Sequence, residues 1–320
     1  MMKRALVTGC CGQDGSYLSE MLVDMGYSVV GVTRPTGECR LQNLSSILDS
    51  EDRARKLLFR LHYGDVTDPH LIVRLAQEQF DEVYLLAGQT NVPQSYLDPT
   101  YTMRVNAESP IAFFDAFKRY SPHTRIYFAG SSEMFGGMVP GTRATVNHPF
   151  EAHSPYAVAK SAAFLAARMY RRLGQFVVGS IAFNHDSRRR GAHFITRKLG
   201  LGLRAFKRTG HPVGVGHVAA SRDWHHAKDT MRGAWMSLQH PEPNDYIFAS
   251  GRTRSVERLI ADMCDLLGVD PQRAVRVGGP EETRPWEVAY MCGDPTETEN
   301  ALGWAPTISY EDLLLDVSTE

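Results

Sequence analysis

The amino-acid sequence predicts an α/β fold in which a doubly wound parallel sheet is covered by helices on both faces. Through about the first 185 residues, short apolar segments alternate with amphipathic ones, and this alternation is typical of a buried parallel sheet. A turn with three glycines joins the first apolar segment to the first amphipathic one, as in Rossmann-type folds. Beyond about residue 185 the segments are shorter and less periodic, which predicts a smaller, interleaved C-terminal α/β domain.

The individual elements follow from this alternation. The first strand is predicted over residues 4–8, and the first helix over residues 16–25, where Leu18, Met21 and Leu22 share one face. The same patterns predict strands at 28–32, 58–62, 82–87, 125–129 and 177–183, and helices at 69–79, 110–119 and 155–173. We expect the larger domain to span residues 1–183 together with about 218–252, and the smaller domain to span residues 184–320.

The composition excludes several classes of protein. The chain has 320 residues, 43% of them hydrophobic, which suits one large or two closely packed globular domains. Lys and Arg total 35 and Asp and Glu total 36, so there is no general attraction to nucleic acid or to acidic membranes. No apolar run approaches the roughly 20 residues that cross a bilayer, and the N-terminus MMKRALVTG has no signal-peptide core. We expect a cytoplasmic protein.

The cysteines do not form a metal-binding or disulfide pattern. They are odd in number and scattered, and the side chains of the two that are adjacent point apart, so the spacing that a zinc site requires is missing. None of the histidines has metal-ligand spacing either. The five cysteines are Cys10, Cys11, Cys39, Cys264 and Cys292.

The glycine-rich turn predicts a dinucleotide site. Gly9, Gly12 and Gly15 follow a strand and precede a helix, which is the context that such a site requires. They allow a tight turn, a close approach to a pyrophosphate and close packing of helix on strand, and the helix N-terminus attracts phosphate. The spacing differs from the commoner G-x-G-x-x-G, and a purely structural turn is the alternative. The remaining residues predicted to contact the cofactor backbone are Gln13, Asp14, Val66, Leu86 and Ala87.

Two polar residues bear on which dinucleotide is bound. Arg34 stands at the end of the second strand, where an acidic residue would bind the ribose of NAD and an Arg accommodates the 2′-phosphate of NADP. This favours NADP, with NAD and a merely solvated Arg34 as alternatives. Asp65, in YGDVTD, is predicted to accept a hydrogen bond from the adenine amine, or else to form an Asx turn.

Four residues form a candidate acid/base set. Tyr156 and Lys160 lie four apart on one face of a predicted helix. A nearby ammonium and a positively charged nicotinamide are expected to lower the pKa of the phenol, so that it can serve in a hydroxyl–ketone interconversion. Ser131 and Glu133 follow a predicted strand at the carboxyl edge of the sheet. A carboxyl in a closed cleft can act as both base and acid, although a solvated loop carboxylate is the alternative for Glu133.

Taken together, these residues resemble the extended short-chain dehydrogenase/reductases that act on nucleotide sugars. Within that family the chain is most similar to the GDP-mannose 4,6-dehydratases. The similar stretches run from residue 8 to about residue 304 and are TGCCGQDGSYL, YGDVTD, SSEMFG, SPYAVAK, FNHDSRRRG, FITRKL, SRDWHHAKD, RPWEV and GDPTETENALGW.

The resemblance implies a lyase that removes water from a nucleotide sugar. Tyr156, assisted by Lys160 and Ser131, would take the C4 hydroxyl proton, and Glu133 would remove the C5 proton and help water leave from C6. Hydride would pass from C4 to C6 within one turnover, so that NADP is regenerated. The second domain would hold the nucleotide through Asn184, Lys198, Arg222, Arg284 and Glu287. Guanidinium groups suit phosphate, whereas the run of arginines at 188–190 is also explained as a solvated face.

Some positions depart from the family pattern. Pro35 follows Arg34 where the family usually has paired arginines in a loop that takes part in tetramers; a homodimer is expected, with a tetramer as the alternative. The stretch QTNVPQS lacks the usual His and Lys, and His217 replaces an Asn. The base and the sugar therefore stay open, with a GDP-heptose among the alternatives to GDP-mannose.

Two other functions remain open on the same scaffold. An epimerase or 4-keto reductase would need the Tyr, the Lys and the hydroxyl but not Glu133, so the carboxyl favours dehydration. A non-catalytic NADP-sensing regulator often lacks the Tyr or the Lys, and both are present here. The intact acid/base set therefore favours an enzyme.

Overall fold

The structure is a computed structural model that describes residues 2–35, 41–278 and 287–320. Its largest sheet has seven strands, all parallel, in the order β3-β2-β1-β4-β5-β6-β10. The strands of the described residues are β1 Arg4–Thr8, β2 Ser28–Thr33, β3 Phe59–Tyr63, β4 Glu82–Leu85, β5 Arg125–Ser131, β6 Val177–Ala182, β7 Asn184–Asp186, β8 Val213–Val215, β9 Ser221–His226, β10 Asp245–Phe248, β11 Thr253–Ser255 and β12 Val275–Val277.

Helices cover both faces of this sheet. The helices are α1 Gln13–Asp24, α2 Ser45–Leu48, α3 Arg53–Leu57, α4 Pro69–Gln77, α5 Val92–Leu97, α6 Pro99–Met103, α7 Ser109–Tyr120, α8 Pro155–Arg172, α9 Ile195–Thr209, α10 Ala227–Gln239, α11 Val256–Leu267, α12 Pro271–Ala274, α13 Thr296–Leu302 and α14 Tyr310–Val317. Short 3₁₀ turns occur at Leu41–Leu44 and Ser132–Phe135, and a π-helical turn at Arg104–Glu108. None of the described helices is both long enough and apolar enough to cross a bilayer.

The alternation of side chains along each strand places two hydrophobic cores on opposite faces of the sheet. In β1, Leu6 packs in the core that includes α4, α7 and α8, whereas Ala5 and Val7 pack in the core that includes α1 and α10. Because both faces are buried, the polar residues of β1, β2 and β4 stand at the strand ends and the positions between them are apolar or glycine. The predicted fold class, a doubly wound parallel sheet, is confirmed.

The ten predicted elements are all present. Each ends within two residues of its predicted boundary except α1, which starts three residues earlier than predicted. Gly12 is the N-cap of α1, so Gly15 lies inside the helix. A Cβ on Gly15 would lie 2.3 Å from the carbonyl oxygen of Gly9, so the glycine is needed because the first helical turn packs directly against the preceding turn.

A smaller layer is formed by the C-terminal part of the chain. It contains a mixed sheet in the order β11-β9-β7 and a parallel pair β12-β8. A third hydrophobic core joins α9, α11 and α14, with Leu203, Leu259 and Leu313 fully buried in it. The range 218–252 contributes β10 to the large sheet and β9 to the small one, and the division of the chain into domains stays a prediction.

The topology brings the functional candidates to one edge. The turn after β1 holds the three glycines, and β5 ends at Ser131. Thr8 ties the neighbouring strand ends together, because its hydroxyl accepts hydrogen bonds from the backbone N–H groups of Leu86 (3.0 Å) and Ala87 (3.1 Å). The carboxyl ends of parallel strands in such sheets form the crevice in which ligands bind.

Candidate active site

The glycine turn is tightly built. Gly9 has a φ of +70°, a conformation that favours glycine, and its N–H donates to the carbonyl oxygen of Val32 at 2.8 Å. A Cβ on Gly9 would lie 2.9 Å from the Cα of Ala87. The turn closes with the N–H of Gly12 donating to the carbonyl oxygen of Gly9 at 2.9 Å. This geometry brings the backbone, without side chains, to the wall of a cavity.

The N-terminus of α1 opens into this cavity without a side-chain cap. Its N-cap is Gly12, which is exposed and forms no side-chain capping bond. By contrast, α4, α8 and α11 are capped by Asp68, Ser154 and Ser255, and each of these side chains accepts a hydrogen bond from its own helix. Because α1 has unpaired N–H groups and a partial positive charge at this end, its start fits a pyrophosphate.

A cavity of about 670 Å³ surrounds this turn. Its size suits a small-molecule or cofactor site, and residues from the ends of β1, β2, β3 and β4 line it. The ten residues outside the acid/base set that the sequence assigns to the cofactor all line this cavity: Gly9, Gly12, Gln13, Asp14, Gly15, Arg34, Asp65, Val66, Leu86 and Ala87. Their roles toward a cofactor remain predictions.

At the far end of this cavity, Tyr101 holds the charged side chain of Arg34 in place. The guanidinium of Arg34 lies over the ring of Tyr101, with its Cζ 5.9 Å from the ring centroid, and donates a hydrogen bond to the Tyr101 hydroxyl. Asp65 forms the Asx turn that was its alternative interpretation, because its Oδ1 accepts from the N–H (2.9 Å) and the hydroxyl (2.8 Å) of Thr67. Asp65 also lines the cavity, so an adenine contact is compatible with this turn.

A second cavity, of about 440 Å³, adjoins the first. Asp14, Leu86 and Arg190 line both. The second cavity contains the whole candidate acid/base set and four of the five predicted nucleotide-binding residues: Ser131, Glu133, Tyr156 and Lys160, with Asn184, Lys198, Arg222 and Glu287. Arg284 lies outside the described residues.

Helix α8 positions the Tyr156–Lys160 pair. Ser154 caps the helix by accepting a hydrogen bond from the N–H of Ala157 at 3.1 Å, and both Tyr156 and Lys160 are buried. The Lys160 ammonium donates to the carbonyl oxygen of Ala129 at 2.8 Å, which fixes it against β5. Burial lowers the pKa of Lys160 to about 8, because a low-dielectric environment disfavours the charged form.

The phenol of Tyr156 is held protonated by the protein. Burial raises its pKa to about 12, the hydroxyl of Ser131 lowers it, and the negative charge of Glu133 raises it further. The expectation that a neighbouring ammonium lowers this pKa is therefore wrong for the protein by itself. The reason is that Lys160 directs its ammonium to the Ala129 carbonyl while desolvation dominates at Tyr156.

Ser131 and Glu133 are placed by the end of β5. Ser131 caps the 3₁₀ turn Ser132–Phe135, since its hydroxyl oxygen accepts from the N–H of Glu133 at 3.3 Å. This cap holds the Glu133 side chain beside Tyr156, on which its charge acts. Glu133 is partly buried and lines the second cavity, and its role toward a substrate stays a prediction.

The opposite wall of the second cavity is polar and charged. Arg222 of β9 is buried and donates to Oε1 of Glu287 at 2.5 Å. The side-chain oxygen of Asn184 in β7 is buried and lacks a hydrogen-bond partner among the described residues, which marks it as available to a ligand. The two departures from the family pattern also reach this cavity, because His217 and the Thr90–Pro93 stretch line it.

The structure adds site residues that the sequence did not single out. His185 and Arg190 line the second cavity, and both fall in FNHDSRRRG, from which only Asn184 was selected. The solvated-face explanation of the arginine run is wrong for two of its three members. Arg189 pairs with Glu20 at 2.7 Å and Arg190 with Asp186 at 3.0 Å, and both are largely buried, whereas the Arg188 side chain is exposed.

Comparisons with known proteins agree with this geometry. A family model described as GDP-mannose 4,6 dehydratase matches residues 6–317. The GDP-mannose 4,6-dehydratase of Vibrio cholerae is 35% identical, covering 100% of this chain and 94% of the relative. GDP-mannose 4,6 dehydratase 1 of Arabidopsis thaliana is 36% identical, covering 98% of this chain and 88% of the relative.

Solved structures share the fold at lower sequence identity. The dTDP-glucose 4,6-dehydratase DesIV of Streptomyces venezuelae, in a crystal structure with NAD bound, has a TM-score of 0.87 and 22% identity, covering 98% of this chain and 95% of that one. RMD of Pseudomonas aeruginosa, complexed with NADPH, has a TM-score of 0.79 and 22% identity, covering 99% of this chain and 98% of that one.

Proposed function

This chain belongs to the GDP-mannose 4,6-dehydratase family, and from that premise we propose that it converts GDP-mannose into GDP-4-keto-6-deoxymannose with loss of water. The observation that carries the proposal is the meeting of Ser131, Glu133, Tyr156 and Lys160 in one cavity. That cavity adjoins the one built around the glycine turn, so a sugar and a dinucleotide can lie next to each other.

The glycine-turn cavity fits a nicotinamide dinucleotide. Gly9, Gly12 and Gly15 leave room for the pyrophosphate beside the uncapped start of α1. We assign the 2′-phosphate of NADP to Arg34, which Tyr101 holds at the end of β2. When bound, such a dinucleotide supplies the acceptor and donor of two electrons that the interconversion of hydroxyl and ketone requires.

Tyr156 is the residue that moves the proton of the sugar C4 hydroxyl. Its phenol needs a bound positive charge to ionise at neutral pH, because the protein by itself raises its pKa to about 12. Lys160 keeps a positive charge within the same buried wall. The Ser131 hydroxyl lowers the pKa of Tyr156 and is placed to share the same substrate oxygen by hydrogen bonding.

Glu133 is the residue that makes the reaction an elimination. Once C4 is a ketone, the C5 proton is acidic, and a carboxylate can remove it. The same carboxyl then delivers that proton to the hydroxyl that leaves C6 as water, so Glu133 acts as base and then as acid, which a carboxyl in a cleft can do. The double bond left between C5 and C6 would be removed when C6 receives the hydride and Tyr156 returns to C5 the proton that it took from the C4 hydroxyl.

The nucleotide end of the substrate is assigned to the opposite wall. Arg222 suits the diphosphate, since a guanidinium fork binds phosphate oxygens in pairs, and Lys198 adds charge on α9. Asn184 and Glu287 are assigned to polar contacts with the nucleotide, and Arg284 to the phosphate. The GDP and mannose identities come from the relatives' names, and a GDP-heptose remains the alternative substrate.

We also propose that the protein is a homodimer. The outer face of α8 and the residue that caps its C-terminus carry apolar side chains at helical spacing that are about half exposed: Val158 at 46%, Leu165 at 54%, Met169 at 47% and, at the cap, Leu173 at 56%. A contiguous apolar stripe of this kind is typical of an interaction surface. The opposite face of the same helix carries Tyr156 and Lys160, so dimerisation would also support the active site.

A panel of nucleotide sugars tests the proposed activity. Purified protein with NADP is incubated with GDP-mannose, a GDP-heptose, UDP-glucose and dTDP-glucose, and each product is weighed by mass spectrometry. The proposal predicts loss of one water from GDP-mannose without net use of the dinucleotide. An isomer of unchanged mass would instead identify an epimerase, net reduction of NADP a reductase working in reverse, and binding without turnover a sensor.

A further inference from the structure

A buried ion pair lies where the two cavities meet. Asp14, in the first turn of α1, lines both cavities, and its Oδ2 lies 2.9 Å from Nε2 of His185 in β7. The two side chains are largely buried, with 22% and 14% of their surface exposed. The pair therefore connects the dinucleotide-side helix to the substrate-side sheet.

The geometry fixes the charge of His185. Its Nδ1 lies 2.7 Å from the carbonyl oxygen of Phe183, and its Nε2 faces the Asp14 carboxylate. Both oxygens only accept hydrogen bonds, so both ring nitrogens must donate, and the ring must be an imidazolium. In accordance with this, the pKa of His185 is raised by Asp14 despite its burial, and Asp14 has its pKa lowered to about 2.

The charged and titratable groups around His185 allow its imidazole ring to carry a positive charge. Arg190, in the segment after β7, is paired with Asp186 at 3.0 Å. His225 of β9 lies with its ring centroid 5.9 Å from that of His185, and its pKa is held well below the usual range, mainly by burial. His225 is thus neutral, and the Asp14 carboxylate is the counter-charge of His185.

The negative charge of Asp14 opposes the binding of a phosphate at the start of α1, and the ion pair with His185 offsets this charge. Asp14 lies in the first turn of the helix whose N-terminus is to receive a pyrophosphate, and an unpaired carboxylate there would repel that anion. Gln13 strengthens the arrangement, because its Nε2 donates both to Asp14 Oδ1 (2.9 Å) and to the carbonyl oxygen of His185 (3.0 Å). Two side-chain hydrogen bonds therefore join the helix start to β7, and a third, between Gln13 and Asp14, braces the carboxylate within α1.

We propose that His185 is a positioning residue whose positive charge neutralises Asp14, so that an anionic dinucleotide can bind at the start of α1 while the two cavities keep their relative position. This inference rests on the proposed function only to the extent that the function requires a dinucleotide. It assigns a purpose to two residues outside the acid/base set.

The test measures NADP binding, without sugar, to charge-deletion variants. His185→Gln leaves Asp14 uncompensated, so the dissociation constant of NADP should rise about tenfold or more at neutral pH. Asp14→Asn/His185→Gln removes both charges and should restore binding to within about threefold of the wild type. A pair that served only packing would make the double variant no better than His185→Gln, and that result would overturn the proposal.

The pH dependence and a direct observation of the protons complete the test. The Asp14 carboxylate raises the pKa of His185 despite its burial, so the charge of His185 is fully present below its usual pKa and is lost as pH rises through the raised value. NADP binding by the wild type should weaken as pH rises through that value, while binding by the double variant should not. Nuclear magnetic resonance of isotope-labelled histidine should show both ring nitrogens of His185 protonated at neutral pH; a single proton there would contradict the proposal.

His226→Gln is the matched control. His226 also contacts a carboxylate, with Nε2 3.1 Å from Asp316 Oδ2, but its Nδ1 accepts a hydrogen bond from the N–H of Lys228 at 3.0 Å. It lines neither cavity, and its substitution should leave NADP binding unchanged. Because binding is measured without sugar, a wild type that binds NADP but does not dehydrate GDP-mannose would refute the proposed function and leave this inference standing.

Discussion

The proposed dehydration depends on a carboxylate that lies beside a phenol. Glu133 acts electrostatically on Tyr156, and the cap formed by Ser131 holds it there. A reductase or epimerase needs the phenol but has no use for this carboxylate. Glu133 is therefore the residue whose substitution separates the alternative reactions most sharply.

Glu133→Gln should abolish water loss while dinucleotide binding is kept. General acid–base groups contribute about 10²–10⁴-fold to rates, and the amide can neither take the C5 proton nor deliver one to the leaving hydroxyl. Mass spectrometry of the product measures water loss, and the nicotinamide absorbance should still change slowly when sugar is added. Dehydration at the wild-type rate would refute the role of Glu133.

Lys160→Met should stabilise the protein while it removes activity. Burial lowers the pKa of Lys160 to about 8 from its usual 10.5, so the charged form opposes folding below that pKa. The methionine variant should be more stable at neutral pH by about 1–3 kcal/mol, reduced by the loss of the hydrogen bond to Ala129. Denaturant unfolding would measure this gain, which should shrink as pH rises above about 8; a variant less stable than wild type at every pH would contradict this.

Arg34→Ala should change the choice of dinucleotide. Loss of a charge-assisted contact to the 2′-phosphate costs about 1.5–3 kcal/mol, so NADP affinity should fall about tenfold or more while NAD affinity stays the same. Fluorescence titration with both dinucleotides measures the ratio. An equal loss for NAD and NADP would show that Arg34 does not read the 2′-phosphate.

At the scale of elements, the glycine turn and α1 form one rigid unit. Gly15→Ala would place a Cβ 2.3 Å from the Gly9 carbonyl oxygen, so either the turn or the helix must shift. We expect loss of NADP affinity and of stability by about 1–3 kcal/mol, measured by titration and by denaturant unfolding. Gly137→Ala is the control, because a Cβ there meets no atom within 4 Å. Equal NADP affinity and equal stability of the two variants would argue against tight packing at Gly15.

The regular elements could be predicted from the sequence because their signals are local. Buried strands such as β1 and β6 are continuous apolar runs, and α8 has a cap and a periodic face. The start of α1 was missed by three residues because Gly12 and Gly15 look like a turn, and only the approach to the Gly9 carbonyl explains a glycine inside the helix. Three-residue strands such as β7 and β11 owe their existence to pairing with β9, which is distant in sequence.

The residues of the candidate site could be predicted from the sequence, whereas the charge interactions between them could not. The glycine turn and the Tyr156–Lys160 spacing can be recognised from the chain alone. The partnership of Asp14 with His185 joins residues 171 positions apart, and the sequence contains no pattern that pairs them. The same holds for the direction of the Lys160 ammonium, which depends on where the Ala129 carbonyl lies.

At the scale of the whole molecule, the exposed stripe on α8 predicts assembly. Leu165→Glu places a charge in the middle of the proposed dimer surface and should yield monomers. Sedimentation over a range of concentrations measures this, with Leu57→Glu as the control, since Leu57 is 77% exposed on the short helix α3. A wild type that is monomeric at every concentration would rule out the dimer.

The two-layer construction explains how one scaffold couples two ligands. The large sheet and α1 form the dinucleotide cavity, the small sheet contributes Asn184 and Arg222, and Asp14 and Arg190 line both cavities. Each layer has its own hydrophobic core. The proposed site lies where residues of both layers line adjoining cavities, with the candidate acid/base set contributed by β5, the 3₁₀ turn that follows it and α8.

Internal hydride transfer can be followed with GDP-mannose that carries deuterium at C4 of the sugar. The wild-type protein with NADP should yield a product that has lost one water and carries the deuterium at C6, with no net change in the dinucleotide. A product without label at C6, or one that has kept all its oxygen, would show that the protein does not catalyse this dehydration.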